Sequence, residues 1–249
     1  MIIILKIIFL LGFLILIHEG GHFIIAKFCK IKVNQFSIGF GPKLISKKIG
    51  ETNYELRLVP LGGFVNLEGE DNNSNDINSF NNAKTWKKIA VISAGALVNI
   101  AFGVLLYFAV VAVRYGIMTG SSLGDSISYS FTIVIKLFQN IFQGIIQLFT
   151  GGLGINDMMG PVGISAMVSK TTGIVEFLFL LSIISISLGI TNLLPLIPLD
   201  GGKIVLIIIE KIRKKPLKKE TEAKIQAVGF LFLMFFSIIV TFNDVLKLF

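Results

Sequence analysis

The chain of 249 residues contains two histidines, and they enclose a glutamate in the sequence His18-Glu19-Gly20-Gly21-His22. On a helix, residues i and i+4 lie on one face, so both imidazoles can bind one metal ion. Zinc suits imidazole nitrogen, and it lowers the pKa of a water molecule that it holds from about 15.7 to about 7. Glu19 lies about 100° round the helix from His18, where it can take a proton from that water and pass it to a leaving amine. The motif therefore predicts a hydrolytic metal site.

Asp200 is the strongest candidate for the third protein ligand that a catalytic zinc needs. The two histidines are already used, and Cys29 is the one cysteine in the chain. Asp200 follows two helix-breaking prolines, Pro195 and Pro198, and precedes two glycines. Irregular backbone at membrane depth is tolerated only where it lines a cavity or is buried in protein. Asp200 can instead cap a helix that begins near Lys203, or serve both purposes.

The composition indicates an integral membrane protein. Apolar residues make up 53% of the chain and charged residues 15%, against about 25% in soluble domains. The mean hydropathy is +0.81. These values exclude a disordered chain, a coiled coil and an ordinary soluble enzyme. The predicted fold is a polytopic α-helical membrane protein, one domain over 1–249, with four transmembrane helices at about 2–28, 89–113, 174–194 and 225–242.

The basic residues predict how the spans are oriented. Ten lysines and arginines lie between Lys27 and Lys88, and eight between Lys203 and Lys224, but only three between the second and third spans. The two basic segments should be cytoplasmic, which leaves both termini outside. The net charge of +8 is thus assigned to topology and lipid headgroups, and nucleic acid is not expected as a partner.

Two further segments are predicted not to span the membrane. In residues 129–151 the polar side chains fall on one helical face, which predicts an amphipathic helix on the outer face of the membrane. The alternative is a fifth span, but it would place the basic C-terminal segment outside. Residues 52–70 alternate apolar and polar side chains around the turn signal Pro60-Leu61-Gly62-Gly63, which predicts a β-hairpin on the cytoplasmic side.

These motifs resemble the site-2 protease family, the intramembrane zinc metalloproteases, and most closely its bacterial members that cleave anti-sigma factors and signal-peptide remnants. His18-Glu19-Gly20-Gly21-His22 matches the first family motif, and Asn192-x-x-Pro195 through Asp200-Gly201 matches the second. Shorter matches occur along the chain, at Phe36-Ser37-Ile38-Gly39-Phe40-Gly41, Pro60-Leu61-Gly62-Gly63-Phe64, Gly160-Pro161-Val162-Gly163 and Phe242-Asn243-Asp244.

The resemblance implies one zinc ion per chain, bound by His18, His22 and Asp200, with Glu19 as the general base. It further implies a substrate that is a single-span membrane protein or a signal-peptide remnant, cut near the cytoplasmic side. The residues implied in substrate binding are Asn192, Pro195, Gly62, Gly63, Phe64 and Asn99. For Asn192 a purely structural role between helices is the alternative, and for the hairpin a surface position without substrate contact.

The chain departs from the resembling proteins in two ways. Those proteins carry one or two PDZ domains between the second and third spans, where this chain has only about 60 residues, too few for a PDZ domain. Ala96 also occupies a position where they usually have proline. Two other functions stay open at this point: a catalytically silent protein that binds membrane substrates, and a metal transporter.

Overall fold

The computed structural model describes residues 2–70, 74–152, 154 and 157–247. The described residues are mostly helical. In chain order the elements are α1 (Ile2–Phe28), β1 (Val33–Ile49), β2 (Thr52–Leu67), α2 (Thr85–Thr119), α3 (Leu123–Thr150), α4 (Pro161–Ser169), α5 (Ile174–Asn192), α6 (Asp200–Arg213) and α7 (Lys219–Leu246).

Four helices, α1, α2, α5 and α7, are long and apolar enough to cross a membrane. Their most apolar 18-residue windows have mean hydropathies of 2.2 to 2.5. Even α5, with 19 residues, reaches about 28 Å as a helix, close to the thickness of a bilayer core of about 30 Å. The structure thus contains four candidate membrane-spanning helices where the sequence predicted four spans, as suits an integral membrane protein, and the orientation of these helices remains a prediction.

The β structure differs from the predicted hairpin over 52–70. β2 is one strand through the Pro60-Leu61-Gly62-Gly63 sequence, and it pairs antiparallel with β1, which was not predicted. The chain turns at residues 50–51, between Ile49 and Thr52, which are paired. The sequence alternation was correctly taken as a strand, but the glycines at 62 and 63 were mistaken for the turn. They allow a bend within the strand instead.

The two strands fold over so that residues 35–38 of β1 lie between two parts of β2. On one side they pair with residues 63–66, and on the other with residues 53–56. Gly62 takes a positive φ of 143° at the bend in β2, and a Cβ there would overlap the ring of Phe40. Among the described residues, those at 63–67 pair with β1 alone, so their other side is an open edge of the sheet. We call residues 63–67 the edge segment.

The chain divides into two compact units, and the prediction of a single domain over 1–249 remains a prediction. The first unit consists of Met1–Ile100 and Leu188–Leu231. Its core joins the end of α1, both strands and the start of α2 through a cluster of buried residues, namely Ala26, Cys29, Ile31, Val33, Leu67, Phe80, Val91 and Ile92. This cluster packs the sheet against the end of α1 and the start of α2.

The second unit consists of Ala101–Ser187 and Phe232–Phe249, and it contains α3. The amphipathic helix predicted over 129–151 is present but begins at Leu123, where the Ser122 side chain accepts a hydrogen bond from the backbone of Asp125. One exposed stripe is polar (Lys136, Gln139, Asn140, Gln143), and another is apolar (Phe131, Ile135, Phe138, Phe142, Ile146). Such a pair of stripes suits a membrane interface, and the outer-face position remains a prediction.

Asp244, near the end of α7, holds the start of α4. One of its carboxylate oxygens accepts hydrogen bonds of 2.8 Å from the backbone N–H groups of both Gly160 and Gly163. These donors lie at the N-terminus of α4, where N–H groups have no partner within the helix. Asp244 is only 4% exposed, so loss of its carboxylate would leave buried donors without acceptors. Two of the family-like sequences, around Gly160 and Asp244, therefore meet in one contact.

We expect Asp244→Ala to lower the thermal unfolding temperature of the purified protein in detergent by about 3–10 °C, because two buried backbone donors lose their acceptor. Asp157→Ala is the matched control. Its carboxylate also accepts a backbone hydrogen bond, from Gly154, but at an exposed position, and its removal should change the unfolding temperature by no more than about 2 °C. Equal shifts for the two variants would contradict this account.

Candidate active site

The first unit brings the predicted ligand residues together from two helices. His18 and His22 lie four residues apart on α1, and Asp200 lies in the first turn of α6. The Nε2 atoms of the two histidines are 3.2 Å apart. Asp200 Oδ2 is 3.2 Å from the Nε2 of His18 and 3.4 Å from that of His22. Three possible ligand atoms thus form a nearly equilateral triangle.

The triangle has the dimensions of one face of a zinc site. In a tetrahedron with metal–ligand distances of about 2.0–2.1 Å, two ligand atoms are about 3.3 Å apart. The three separations of 3.2 to 3.4 Å fit that value. Asp200 Oδ2 is buried and faces the two imidazoles, and a buried carboxylate oxygen needs a compensating partner such as a cation. The residues present therefore fit a zinc ion with a fourth position left for water or substrate.

His22 is oriented by the backbone of α2. Its Nδ1 lies 2.8 Å from the carbonyl oxygen of Val91. Since a carbonyl can only accept, Nδ1 donates its proton there and Nε2 keeps a lone pair for a metal. Gly95, one turn further along α2, leaves room for the ring, because a Cβ at that position would overlap His22 Nε2.

Asp200 does not act as a helix cap. Helix α6 begins at Asp200 itself, and the capping position is Leu199, which makes no side-chain capping bond. The start of α6 at Asp200 therefore does not support the helix-cap alternative, and the role of Asp200 as a metal ligand remains a prediction. The Asp200 carboxylate is directed to the histidines. Because α6 begins just after the prolines at 195 and 198, its first turn carries Asp200 next to the two imidazoles.

A cavity of about 290 Å³ opens onto the histidines and the aspartate. Glu19 lines it together with the edge segment of the sheet. A Cβ built on Gly63 would lie 3.0 Å from Glu19 Cγ and 2.8 Å from the Ser37 carbonyl oxygen, so the bare backbone at position 63 lets the strand lie beside Glu19 without displacing either neighbour. The described lining residues are His18, Glu19, His22, Gly63, Phe64, Val65, Leu67, Glu70, Val91, Ile92, Pro198, Asp200 and Lys203.

Lys203 and Glu70 both line this cavity and form an ion pair, with 2.9 Å between Lys203 Nζ and Glu70 Oε1. Neither residue was predicted from the sequence to belong to the site. Lys203 could have been predicted, because residues three apart on a helix share a face and Lys203 follows Asp200 at that spacing. Glu70 lies far away in sequence at the end of β2, and no local pattern marks it.

The predicted substrate-binding residues are distributed unevenly. Gly63 and Phe64 line the cavity, whereas Gly62 lies at the strand bend against Phe40. Asn192 and Pro195 are not among the described residues that line the cavity. Asn99 is fully buried, and its side-chain nitrogen lies 3.4 Å from His18 Nδ1. The substrate roles of these residues remain predictions.

Comparison with known proteins agrees with the motifs and geometry. The sequence model of peptidase family M50, the site-2 protease family, matches residues 6–236. The chain belongs to this family. It is an intramembrane zinc metalloprotease, and a catalytically silent protein or a metal transporter is not favoured.

The protease is similar over almost its whole length to bacterial proteins. The zinc metalloprotease RasP of Bacillus licheniformis is 25% identical, with 97% of this chain and 98% of RasP covered. The regulator of sigma-W protease RasP of Bacillus subtilis is 23% identical, with the same coverage. A relative from Clostridium perfringens is 29% identical over 94% of this chain and 95% of its own. The alignments run over 319 to 412 positions, so these relatives carry segments that the 249-residue protease does not match.

We expect Gly95→Ala to lower the zinc content of the purified protease severely, because the added methyl group would displace the His22 ring. Gly20→Ala is the matched control, since it makes the same change inside the His18–His22 motif, yet nothing lies within 4 Å of a Cβ at position 20. Zinc can be measured by mass spectrometry of metal in detergent-purified protein. Full zinc occupancy in Gly95→Ala would show that α2 does not restrict the ring.

Proposed function

We propose that the protease cuts transmembrane or signal-peptide-like segments of single-span membrane proteins, with zinc bound by His18, His22 and Asp200 and with Glu19 as the general base. The observation that carries the proposal is the triangle of ligand atoms, with separations of 3.2 to 3.4 Å, on a cavity that Glu19 also lines. Two imidazoles, one carboxylate and an adjacent glutamate are the groups that a zinc peptidase needs.

Each protein group has a separate task in peptide hydrolysis. Bound zinc supplies Lewis acidity, which makes water more acidic and a carbonyl more electrophilic. Glu19 accepts a proton as water attacks the carbonyl carbon, and then delivers that proton to the amide nitrogen, which leaves as an amine. The C–N bond breaks, one new C–O bond forms, and Glu19 returns to its starting state. The Val91 carbonyl keeps the His22 ring in place throughout.

The edge segment suits an unwound substrate. A transmembrane helix satisfies its own backbone hydrogen bonds and shields its peptide bonds, so a protease must first extend it. An open sheet edge can hold the extended chain by adding it as another strand. Gly63 and Phe64 belong to this edge and line the cavity, and the close approach of Gly63 to Glu19 would bring an added strand to the reacting groups.

The distribution of charge supports an active site on the cytoplasmic side. The sheet lies in the first lysine-rich segment and α6 in the second, and the positive-inside rule assigns both segments to the cytoplasm. Both termini would then be outside, and the cut substrate would be released to the cytoplasm. The anti-sigma factor type of substrate, implied by the resemblance to bacterial site-2 proteases, is compatible with such a release.

We expect Glu19→Gln to lower the cleavage rate of a short transmembrane test substrate by at least about 10²-fold while zinc stays bound, because the amide cannot accept a proton. Glu176→Gln, an exposed glutamate at the start of α5, is the matched control and should leave the rate unchanged. Substrate fragments from detergent-purified protein can be measured by mass spectrometry. Undiminished cleavage by Glu19→Gln would refute the proposed mechanism.

The orientation can be tested with single cysteines in a Cys29→Ser background. We expect cysteines at the exposed positions Lys48 and Lys215 to be protected from a membrane-impermeant maleimide in intact cells, and a cysteine at the exposed Lys170 to react. All three should react after the membrane is permeabilised, which controls for local accessibility. Labelling of the first two positions in intact cells would reverse the proposed topology.

A further inference from the structure

One face of α2 lies against both histidines of the candidate metal site. Val91, Gly95 and Asn99 recur every fourth residue and therefore share a face of the helix. The Val91 carbonyl oxygen binds His22 Nδ1, and Gly95 leaves space for the His22 ring. Two turns after Val91, the amide of Asn99 lies 3.4 Å from His18 Nδ1. Each imidazole thus has a polar group of α2 next to its Nδ1, while its Nε2 faces Asp200.

A metal-binding imidazole needs a partner on its second nitrogen. When neutral imidazole gives the lone pair of Nε2 to a metal, its proton is on Nδ1, and an acceptor at that proton fixes both the tautomer and the ring orientation. His22 has such an acceptor in the Val91 carbonyl. For His18, the side chain next to Nδ1 is that of Asn99.

The Asn99 amide can supply this acceptor. An amide carries an oxygen and an NH₂ group of almost the same shape, and a half-turn about the Cβ–Cγ bond exchanges them. The half-turn places the oxygen, which can accept the Nδ1–H of His18, where the nitrogen now lies. We propose that Asn99 is a positioning residue, whose amide oxygen accepts the His18 Nδ1–H and thereby holds His18 Nε2 toward the metal. This inference rests on the proposed ligand set.

The location of Asn99 distinguishes this role from the substrate contact that the family resemblance implied. Its side chain is 0% exposed, and Asn99 is not among the described residues that line the cavity. A substrate in the cavity would meet Glu19 and the edge segment, whereas Asn99 lies at the other nitrogen of the His18 ring. Such burial suits a residue that acts by positioning the metal ligand His18 and does not contact the substrate itself.

Variants of Asn99 that differ only in hydrogen-bond acceptance provide the test. Asn99→Leu and Asn99→Ala both remove the acceptor. Leucine roughly keeps the side-chain volume, whereas alanine adds no bulk that could clash. Asn99→Asp keeps an acceptor of similar size, as in carboxylate–histidine–zinc arrangements. We expect the zinc affinity of the full-length protease in detergent, measured by competition with a chelator, to fall about 10–100-fold in Asn99→Leu and Asn99→Ala, and to stay within about threefold of wild type in Asn99→Asp.

A second readout separates positioning from substrate binding and from packing. At saturating zinc, KM for a short transmembrane substrate should be the same in Asn99→Ala as in wild type. Ser93→Ala is the control on α2, because the Ser93 hydroxyl donates a hydrogen bond to the Ala90 carbonyl within the same helix, and its loss should leave zinc affinity unchanged. Thermal unfolding of the zinc-free proteins checks that the variants fold equally.

Two results would overturn the inference. Unchanged zinc affinity with a raised KM in Asn99→Ala would make Asn99 a substrate-binding residue. An equal loss of zinc affinity in Asn99→Asp and Asn99→Ala would show that packing matters and the acceptor does not. His18→Ala and Asp200→Ala, measured in parallel, test the ligand set itself. If these two variants keep full zinc affinity, the proposed metal site is wrong. If they lose zinc affinity and the Asn99 variants keep it, only the role of Asn99 is wrong.

Discussion

The meeting of two imidazoles and one buried carboxylate is the constraint on which the first unit of the protease depends. Such groups are costly inside an apolar helical protein unless a cation or hydrogen bonds compensate them. The separations of 3.2 to 3.4 Å leave little freedom, because a change of a few tenths of an ångström spoils metal geometry. The start of α6 at Asp200, the missing side chain at Gly95 and the carbonyl of Val91 all serve to keep these atoms in place.

The residues of the candidate metal site could be selected from the sequence because their geometry is mostly local. His18 and His22 share a helix, so their spacing alone places them on one face. Helix spacing alone does not place Asp200 near the histidines, since it lies on α6. Its position between helix-breaking prolines and paired glycines nevertheless marked it as unusual. The four apolar spans followed from length and composition alone. In each case the information lies within about 20 consecutive residues.

The parts that sequence reasoning missed depend on contacts between distant segments. Strand β2 showed its alternation, but the partner strand β1 could be known only from the folded sheet, and the glycines that bend β2 imitate a turn. The Lys203–Glu70 ion pair joins α6 to the end of β2, and although Lys203 shares a helix face with Asp200, no local pattern indicates Glu70 as its partner. For Asn99, the family resemblance indicated the residue, but only the structure shows that its side chain lies next to His18 Nδ1.

Gly63 has a consequence for how the protease would choose its substrates. The strand beside Glu19 presents bare backbone at this position, so an added peptide would be held there through main-chain groups that every sequence possesses. Recognition of this kind discriminates poorly between side chains at the point of contact. Selectivity then falls on how readily a membrane helix gives up its internal hydrogen bonds, so segments with weak helical propensity would be cut before uniformly stable ones.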